Sequence, residues 1–408
     1  MVVFCSGYYQ PVELQKIWIK GNNTMKVCNV VMNSVWYDPR VRRQIIEYKK
    51  HDIDVCCVGY KCQRYDAKKI QSMPIPVDIT EVDKRFQGKQ NFFGKIARRY
   101  QMITRVRDAI IKTKPDIIHA NDFDALIPAY MARKDLGCHL IYDSHEIYME
   151  NISSRGRLYS SFAWFLKQVE KRLVKNVDLM ICVSHAAADY FEKTYHIQKP
   201  MVVTNCALAS DFLLLQNVDK HEGFEVLNHG QFYEGRGYDI MAHACDSFQD
   251  YPDIRLALRG YGKMENTLRD IVAQCAHKEQ FVFYPGVLVQ ELIPLASKSH
   301  VGVAITEGIC LNFQLSVSNK IFEYAAAGLP VIMSDIPEHR YLNNKYHFGL
   351  VLEENTPEAF SKAVKKLHDD KQLYAQMSEN AQKMSREINW ENEFAKLLDA
   401  ERMMMSMS

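Results

Sequence analysis

The chain alternates short apolar runs with longer stretches in which apolar residues recur every three or four positions. Runs that are nearly continuous in Val, Ile, Leu, Met and Cys are typical of strands buried on both faces of a parallel sheet. The first half contains six such runs, at 27–32, 54–59, 116–120, 139–143, 179–183 and 201–204. The second half contains six more, at 225–229, 254–259, 281–284, 301–305, 330–333 and 349–352. Segments of helical length separate most runs, so the sequence predicts two consecutive doubly wound α/β domains.

The pattern breaks at 205–224, where an irregular segment precedes the next strand. We therefore predict an N-terminal domain at 25–205 and a C-terminal domain at 206–385. Residues 1–24 form an N-terminal appendage in this division, unless Met25 is the natural start, and 386–408 form a terminal helix and tail. A chain of 408 residues suits two domains of about 200 residues each.

Composition excludes several classes of protein. No stretch approaches the ~18 continuous apolar residues of a membrane-spanning helix, and the N-terminus is a poor signal peptide because it lacks a basic start and a small-residue cleavage site. The 11 cysteines are an odd number, are scattered apart from Cys56-Cys57, and form no CxxC pair with zinc spacing. We expect reduced thiols in a cytoplasmic protein.

The formal net charge of +2 hides an asymmetry along the chain. Residues 1–200 carry 32 basic and 21 acidic side chains, a net of +11, whereas 201–408 carry 19 and 28, a net of −9. The segment 84–114 alone holds ten basic residues and one acid. On a helix from about Gly94, an apolar stripe through 96, 100, 103, 106 and 110 is expected to be core. The basic face could be merely solvated, or could contact anionic lipid or a diphosphate-linked acceptor; nucleic acid is a weaker alternative, because no recognised binding module is present.

Doubly wound sheets bind ligands at the carboxyl ends of their strands, so the residues after each strand are the candidates for chemistry. After the first strand come Asn33, Ser34, Asp38 and Arg40, in a turn that leads into a helix. This turn is either simply capped, or it forms a wall of the acceptor site.

Two further groups follow strands of the first half. Asp122 and Asp124 form a DxD that could hold a metal and a diphosphate, but carboxylates at a helix start more often cap the helix, and we favour capping without a metal. His145 could donate a hydrogen bond into the cleft, act as a base, or be a satisfied structural residue.

The second half begins with a strand and a glycine-flanked loop containing Gly230, Gln231 and Arg236. Loop N–H groups, a helix dipole and an arginine make a plausible phosphate site. Gly260 and Gly262 follow the next strand and would allow a ligand to approach the backbone closely.

A helix rich in small residues ends at Gly328, and its N-terminus carries Ser318, Asn319 and Lys320. This arrangement favours an anion. Glu323 lies one turn further in, where an acid could accept two hydrogen bonds from a ribose diol, or could be a plain surface residue.

With these residues in view, the chain resembles the large retaining glycosyltransferase family with the GT-B fold (glycosyl transferases group 1 / family 4), which includes many bacterial polysaccharide-assembly enzymes. The resemblance covers nearly everything from Met25 to about Leu398. Its strongest part is NKIFEYAAAGLPVI at 319–332, and further matches are IIHANDFDALIPAY, LIYDSHE, VEKRLVKNVDLMICVSHAAADYF and GQFYEGRGYDI. The resemblance implies two Rossmann-like domains that face each other across a cleft.

The resemblance also implies roles for single residues. Glu323 matches the second acid of the family's Glu-x7-Glu motif and would bind the ribose of a nucleotide-diphosphate-sugar donor. The first acid falls at Leu315, which is not acidic, and Glu307 is a possible substitute. The family's phosphate-binding pair falls at Gln231 and Arg236, with Lys320 as a source of compensating charge.

His145 matches the family's active-site histidine, and the last helix would cross back to the first domain and place Trp390 near the hinge. No metal or other cofactor is expected.

The implied function is a retaining hexosyltransferase that moves a sugar to a lipid-linked or oligosaccharide acceptor, of the kind that grows into a surface glycan. Such an enzyme could lie at the inner face of the cytoplasmic membrane through 84–114. Two alternatives stay open at this point. One is a sugar-nucleotide 2-epimerase of the same architecture, and the other is a non-catalytic protein that binds nucleotides or partners.

Overall fold

The computed structural model describes residues 25–35, 38–61, 77–83, 92–148, 150, 157–212, 215 and 218–407. Two all-parallel sheets dominate these ranges. The first sheet has the order β3-β2-β1-β4-β5-β6-β7, and the second has the order β10-β9-β8-β11-β12-β13. The α/β class and the two Rossmann-like domains predicted from the apolar runs are therefore confirmed.

The strands of the first sheet are β1 (Lys26–Val31), β2 (Asp54–Tyr60), β3 (Asp78–Val82), β4 (Ile117–Asn121), β5 (His139–Ser144), β6 (Leu179–Cys182) and β7 (Met201–Val202). Those of the second sheet are β8 (Phe224–Gln231), β9 (Ile254–Tyr261), β10 (Phe281–Pro285), β11 (Val301–Ala304), β12 (Val331–Ser334) and β13 (Gly349–Leu352). All twelve predicted strands are present. Strand β3 was not predicted, because only Val82 of its five residues is fully buried at this sheet edge.

The helices of the first half are α1 (Pro39–Lys50), α2 (Phe92–Thr113), α3 (Asp122–Leu136), α4 (Arg157–Leu173) and α5 (His185–Tyr195). Those that follow are α6 (Tyr238–His243), α7 (Glu265–Ala273), α8 (Val289–Ala296), α9 (Leu311–Leu315), α10 (Asn319–Ala326), α11 (Pro337–Tyr346), α12 (Pro357–Asp369), α13 (Lys371–Glu387) and α14 (Trp390–Ser406). None of the helices in the described ranges is both long and apolar enough to cross a membrane.

Helices cover both faces of the first sheet. Ile45 of α1 belongs to the apolar cluster on one face, and Val106 and Ile110 of α2 belong to the cluster on the other. Among the side chains of α2 that the structure describes, Met102, Val106, Ala109 and Ile110 are buried. Of the predicted stripe, Ile103 is half-buried, Tyr100 is 65% exposed, and the Ile96 side chain lies outside the described part. Ala109 is small and Met102 is flexible, so both suit the close packing of α2 on α3.

Helix α14 returns from the second half and packs on α1. The Trp390 backbone N–H donates to the Ala207 carbonyl at 2.9 Å, and the Phe394 ring meets the Tyr48 ring edge-on with centroids 4.9 Å apart. A Glu393 carboxylate oxygen accepts the Thr204 N–H at 2.8 Å. The terminal helix thus fixes the segment that joins the two sheets, while the exact domain limits at 205 and 385 stay predictions.

Candidate functional site

A buried ion pair lies at the carboxyl end of β5. Asp143 is fully buried and accepts hydrogen bonds from the Arg40 Nε at 2.8 Å, the Arg40 Nη2 at 3.1 Å and the Gln44 Nε2 at 2.9 Å. Burial alone would raise the pKa of this carboxyl, but the Arg40 guanidinium and the neighbouring histidines hold the pKa well below its usual range. Asp143 is therefore a fixed negative charge at the strand end.

This pair corrects part of the acceptor-side prediction. Arg40 is only 3% exposed and Ser34 only 2%, so neither side chain is open to an acceptor. Asp38 caps α1 by accepting the backbone N–H groups of Arg40 and Val41, both at 3.0 Å. Asn33 is the exposed member of the four, and an acceptor role for Asn33 and Asp38 stays a prediction.

His145 follows Asp143 and lies among acidic and amide groups. Its Nδ1 is 3.4 Å from an Asp122 carboxylate oxygen, and its Nε2 is 3.5 Å from Asp143 and 3.2 Å from the Asn121 Oδ1. Burial would lower the pKa of the imidazole, but Asp122 and Asp143 outweigh burial and raise the pKa to about 9. His145 is therefore cationic at neutral pH, which suits a hydrogen-bond donor better than a general base.

The two aspartates of the DxD do not act as the predicted helix cap. The N-cap position of α3 is Asn121, which makes no side-chain capping bond. Asp122 has a left-handed φ of 64° and accepts the His145 backbone N–H at 3.0 Å. Asp124 pairs with Arg99 at 2.5 Å and accepts the Tyr148 hydroxyl at 3.0 Å. Both carboxylates therefore position neighbouring residues, and the strained Asp122 supports His145.

The phosphate-loop prediction falls on the segment 230–237, between β8 and α6. Gly237 has a φ of 66°, and a Cβ at this position would lie 2.5 Å from the Ile305 Cβ, so only glycine fits. The Arg236 guanidinium stacks 4.1 Å from the centre of the Phe313 ring. The Lys320 Nζ donates to the Asn228 Oδ1 at 2.7 Å and lies 4.5 Å from the centre of the Tyr238 ring.

Neither Arg236 nor Lys320 forms an ion pair with a carboxylate among the residues that the structure describes. Burial lowers the pKa of Arg236. Burial and the Arg236 charge lower the pKa of Lys320 to about 7, although the Glu323 carboxylate lies near enough to act in the opposite direction. Partly buried positive charge that no carboxylate contacts directly favours an anion. The two predicted phosphate-binding cations are thus brought to one site.

Glu323 lies one turn into α10, beside this site. Its carboxylate is 2.7 Å from the His229 Nε2, and the His229 backbone N–H donates to the Tyr324 hydroxyl at 2.9 Å. Burial would raise the pKa of Glu323, but the contact with His229 holds it below its usual value. Glu323 therefore stays ionised and accepts hydrogen bonds.

The Glu323 side chain lines a small cavity of about 20 Å³ between the two halves. The wall from the first half includes Arg43, whose Nη1 donates to the Cys206 carbonyl at 2.7 Å. The wall from the second half includes Asn319 of α10 and Ile293 of α8. The cavity thus has about the size of one water molecule, and the Glu323 carboxylate borders it beside apolar and cationic groups.

The other predicted donor-site residues have more varied surroundings. Ser318 is buried at the N-cap of α10, and Gly230 would clash with Tyr238 if it carried a Cβ. Gln231 is exposed, and its amide donates to the Tyr261 hydroxyl at 3.2 Å. A Cβ on Gly260 would lie 1.8 Å from the Gly230 carbonyl oxygen, and one on Gly262 would lie 2.5 Å from the Phe232 carbonyl oxygen. Close packing of the backbone therefore explains why glycine is needed at positions 260 and 262.

The segment 306–318 contains Glu307 and Leu315, the two positions considered for the first acid of the Glu-x7-Glu motif. Leu315 packs against the apolar cluster of the first half, and its carbonyl accepts the Ser184 hydroxyl at 2.5 Å. An acid at this position would therefore be desolvated. Glu307 lies against the loop 230–237, where its N–H donates to the Gly235 carbonyl at 2.9 Å. Burial raises the pKa of Glu307, and one of its carboxylate oxygens has no partner among the described residues.

Three residues of this site were not selected from the sequence. Asp143 lies in the quoted segment LIYDSHE, two residues before His145, and His229 directly precedes Gly230, so their place at the end of an apolar run was an available signal. Arg43 had no such signal, because it lies one turn inside α1 and its partner, the Cys206 carbonyl, is 163 residues away.

Comparison with known proteins identifies the family. Residues 41–208 match the family Glycosyltransferase Family 4, and residues 215–384 match Glycosyl transferases group 1. The chain belongs to the GT-B glycosyltransferases. The two matches leave residues 1–40, which include β1, and residues 209–214 and 385–408 outside the family pattern.

Similar proteins agree with this GT-B assignment. An uncharacterized glycosyltransferase of Haemophilus influenzae is 23% identical over 235 residues, which are 57% of this chain and 64% of that protein. The chain therefore spans under two thirds of the curated relative that it matches.

Two solved structures share the fold. The Anabaena protein Alr3699/HepE, in complex with UDP-glucose, has a TM-score of 0.68 at 15% identity and covers 94% of this chain and 100% of its own. WaaG, a glycosyltransferase involved in lipopolysaccharide biosynthesis, has a TM-score of 0.65 at 15% identity and covers 91% and 98%.

Proposed function

We propose that the protein transfers a sugar from a nucleotide-diphosphate-sugar donor to a lipid-linked or growing surface-glycan acceptor, with retention of anomeric configuration. The observation that carries this proposal is the pair Arg236 and Lys320, two partly buried cations without a carboxylate partner, beside the ionised Glu323. A diphosphate would neutralise the first two groups, and a ribose diol would satisfy the third.

The leaving group explains why these cations would serve catalysis and not only binding. When the bond between the sugar and the β-phosphate breaks, negative charge grows on the departing diphosphate. This charge is stabilised by Arg236, Lys320 and the N–H groups at the N-terminus of α10. These groups stabilise the transition state more strongly than the ground state. The departing phosphate oxygen then takes the proton of the acceptor hydroxyl on the same face of the sugar, which retains the configuration.

His145 lies in the first half, directly after the carboxyl end of β5. Since Asp122 and Asp143 keep its imidazole protonated, we assign to His145 the donation of a hydrogen bond to the sugar or the acceptor, and not the removal of a proton. Glu307, with its unpartnered carboxylate oxygen, is our candidate for binding a sugar hydroxyl in place of an acid at 315.

The acceptor side of the proposal includes contact with an anionic membrane. Residues 84–91 lie outside the described residues, but α2 presents Arg98 and Arg99 to solvent. On α4, Trp164 and Phe165 are 64% and 57% exposed and could enter the lipid interface. Part of the basic charge is already neutralised, because Arg99 pairs with Asp124. We therefore propose a weak, salt-sensitive attachment to the inner face of the cytoplasmic membrane.

A thermal-shift panel of nucleotide sugars tests the donor assignment. A donor present at 100 times its Kd should raise the free energy of unfolding by about 2.7 kcal/mol. Glu323→Ala and Arg236→Ala should each lose most of the shift, whereas Arg386→Ala, which removes an exposed arginine of α13, should keep it. Unchanged donor binding in both site variants would refute the assignment.

Product analysis with the stabilising donor separates the alternatives. Sugar transfer with retained configuration supports the proposal, and interconversion of the donor into an isomer without transfer would instead indicate a sugar-nucleotide 2-epimerase. Donor binding with no turnover on any lipid-linked or oligosaccharide acceptor would indicate a non-catalytic protein.

A further inference from the structure

Two cysteines and an aspartate meet in the second half, at the end of α6 that points away from the loop 230–237. Cys245 and Asp246 begin a short 3-10 turn directly after α6, and Cys275 follows α7. Two sulfur atoms and one carboxylate oxygen from these residues all lie within 4.8 Å of one another. Thirty residues separate the two cysteines, so folding and not sequence spacing brings them together.

Two thiols and a carboxylate are ligands that Zn²⁺ accepts in proteins. Around a tetrahedral zinc with Zn–S of about 2.3 Å and Zn–O of about 2.1 Å, the ligand atoms lie roughly 3.5–3.8 Å apart. The observed upper limit of 4.8 Å is about 1 Å wider than this, so small side-chain rotations, above all of the exposed Asp246, would close it. Hard cations such as Mg²⁺ prefer all-oxygen ligands and fit this group less well.

The surroundings suit entry of an ion from one side. Cys245 is fully buried, Cys275 is half-buried and Asp246 is exposed. The group is therefore closed to solvent at Cys245 and open to solvent at Asp246. One Asp246 oxygen accepts the His277 backbone N–H at 2.9 Å, which orients the carboxylate and leaves the other oxygen available.

We propose that Cys245, Asp246 and Cys275 bind one zinc-class divalent cation, with water as fourth ligand. On binding, each thiol gives up its proton to solvent and becomes a thiolate ligand. The ion links the turn after α6 to the segment after α7 and stabilises the second domain. The site lies at the other end of α6 from the proposed phosphate loop, so it takes no part in sugar transfer.

Cobalt binding tests the site without any nucleotide sugar. Co²⁺ added to the reduced full-length protein should give a near-ultraviolet thiolate-to-cobalt charge-transfer band that saturates at one ion per chain. Zn²⁺ should abolish the band and raise the Tm. Cys245→Ser and Cys275→Ser should each lose the band, whereas Cys138→Ser, at an equally half-buried cysteine of the first half, should keep it.

Asp246→Asn is the second variant in case the cysteine variants do not fold, because Asp246 is exposed. This variant should fold normally and bind Zn²⁺ about tenfold more weakly or worse, measured by competition with a chromophoric chelator. Absence of the thiolate band in the wild type would overturn the proposal. Unchanged zinc affinity in all three variants, or a Cys245–Cys275 disulfide found by mass spectrometry in protein that binds no metal, would also overturn it.

Discussion

Two groups of positive charge differ in their partners. One is Arg40 and His145 in the first half, here called the first wall, and the other is Arg236 and Lys320 in the second half, here called the second wall. In the first half, Arg40 is bound by Asp143 at 2.8 and 3.1 Å, and His145 lies between Asp122 and Asp143. In the second half, Arg236 and Lys320 contact aromatic rings and an amide oxygen. Within the described residues, carboxylates contact the first set directly, whereas the nearest acid to the second set, Glu323, acts on Lys320 without forming an ion pair with it.

We infer from this difference that the first group of charges stabilises the fold and that the second group is available to bind a ligand. A buried cation bound by a carboxylate is costly to disturb, because removal of one partner leaves the other charge uncompensated. A buried cation without an acid reduces stability until an anion arrives. The first wall therefore holds His145 in place, and the second wall is where we propose that the donor diphosphate binds.

Asp143→Ala gives the largest expected effect of this comparison. The change leaves Arg40 buried without its carboxylate, and we expect a loss of about 3–5 kcal/mol in the free energy of unfolding, measured by urea denaturation. Asp135→Ala is the matched control, because Asp135 pairs with Arg107 at 2.6 Å on the surface and should cost at most about 1 kcal/mol. Equal effects of the two substitutions would show that the Arg40–Asp143 pair is not structural.

Lys320→Met tests the other wall, and its effect should fall on binding and not on stability. The change removes a desolvated cation that no carboxylate contacts, but it also leaves the buried Asn228 Oδ1 without its donor, so we expect the free energy of unfolding to change little. Binding of a nucleoside diphosphate should weaken by about 10- to 100-fold, the value of a lost charged hydrogen bond of about 1.5–3 kcal/mol. Urea denaturation and calorimetry give the two quantities separately. Destabilisation by more than about 1 kcal/mol with unchanged binding would assign Lys320 to the fold instead.

The fate of single predictions shows where sequence reasoning succeeds in this chain. The strands and the cluster Lys320, Glu323 and Arg236 were found because apolar runs mark buried strands and because polar residues after strands meet at one sheet edge. Arg40 was misassigned because its partner Asp143 is 103 residues away, and no local pattern reveals that pair. Strand β3 was missed because an exposed edge strand does not need an apolar run.

The titration of Lys320 gives a pH dependence to the second wall. In the free protein its pKa is lowered to about 7, and a bound diphosphate should raise it again. Above pH 7 binding therefore takes up a proton, and affinity should fall by at most about tenfold per pH unit between pH 7 and 9. Calorimetry in two buffers of different ionisation enthalpy measures this proton uptake. Persistence of the same uptake in Lys320→Met would mean that another group titrates.

Arg99→Ala on α2 should give the smallest change. Its pair with Asp124 is exposed, so the free energy of unfolding should change by less than about 1 kcal/mol. Binding to anionic vesicles at low salt should weaken by about 1 kcal/mol if this helix contacts the membrane. Sedimentation with vesicles at two salt concentrations measures the effect. Failure of the wild-type protein to bind even at low salt would refute the membrane contact.

The central claim is that Arg236 and Lys320 are held without acids in order to bind a diphosphate. Its most direct test compares thermal unfolding with UDP, GDP and ADP against unfolding with the corresponding nucleosides, in the wild type and in the double variant Arg236→Ala, Lys320→Met. We predict that at least one diphosphate raises the Tm of the wild type, that its nucleoside does so much less, and that the double variant loses the difference while folding normally. An equal response to diphosphate and nucleoside, or a full diphosphate shift in the double variant, would contradict the claim.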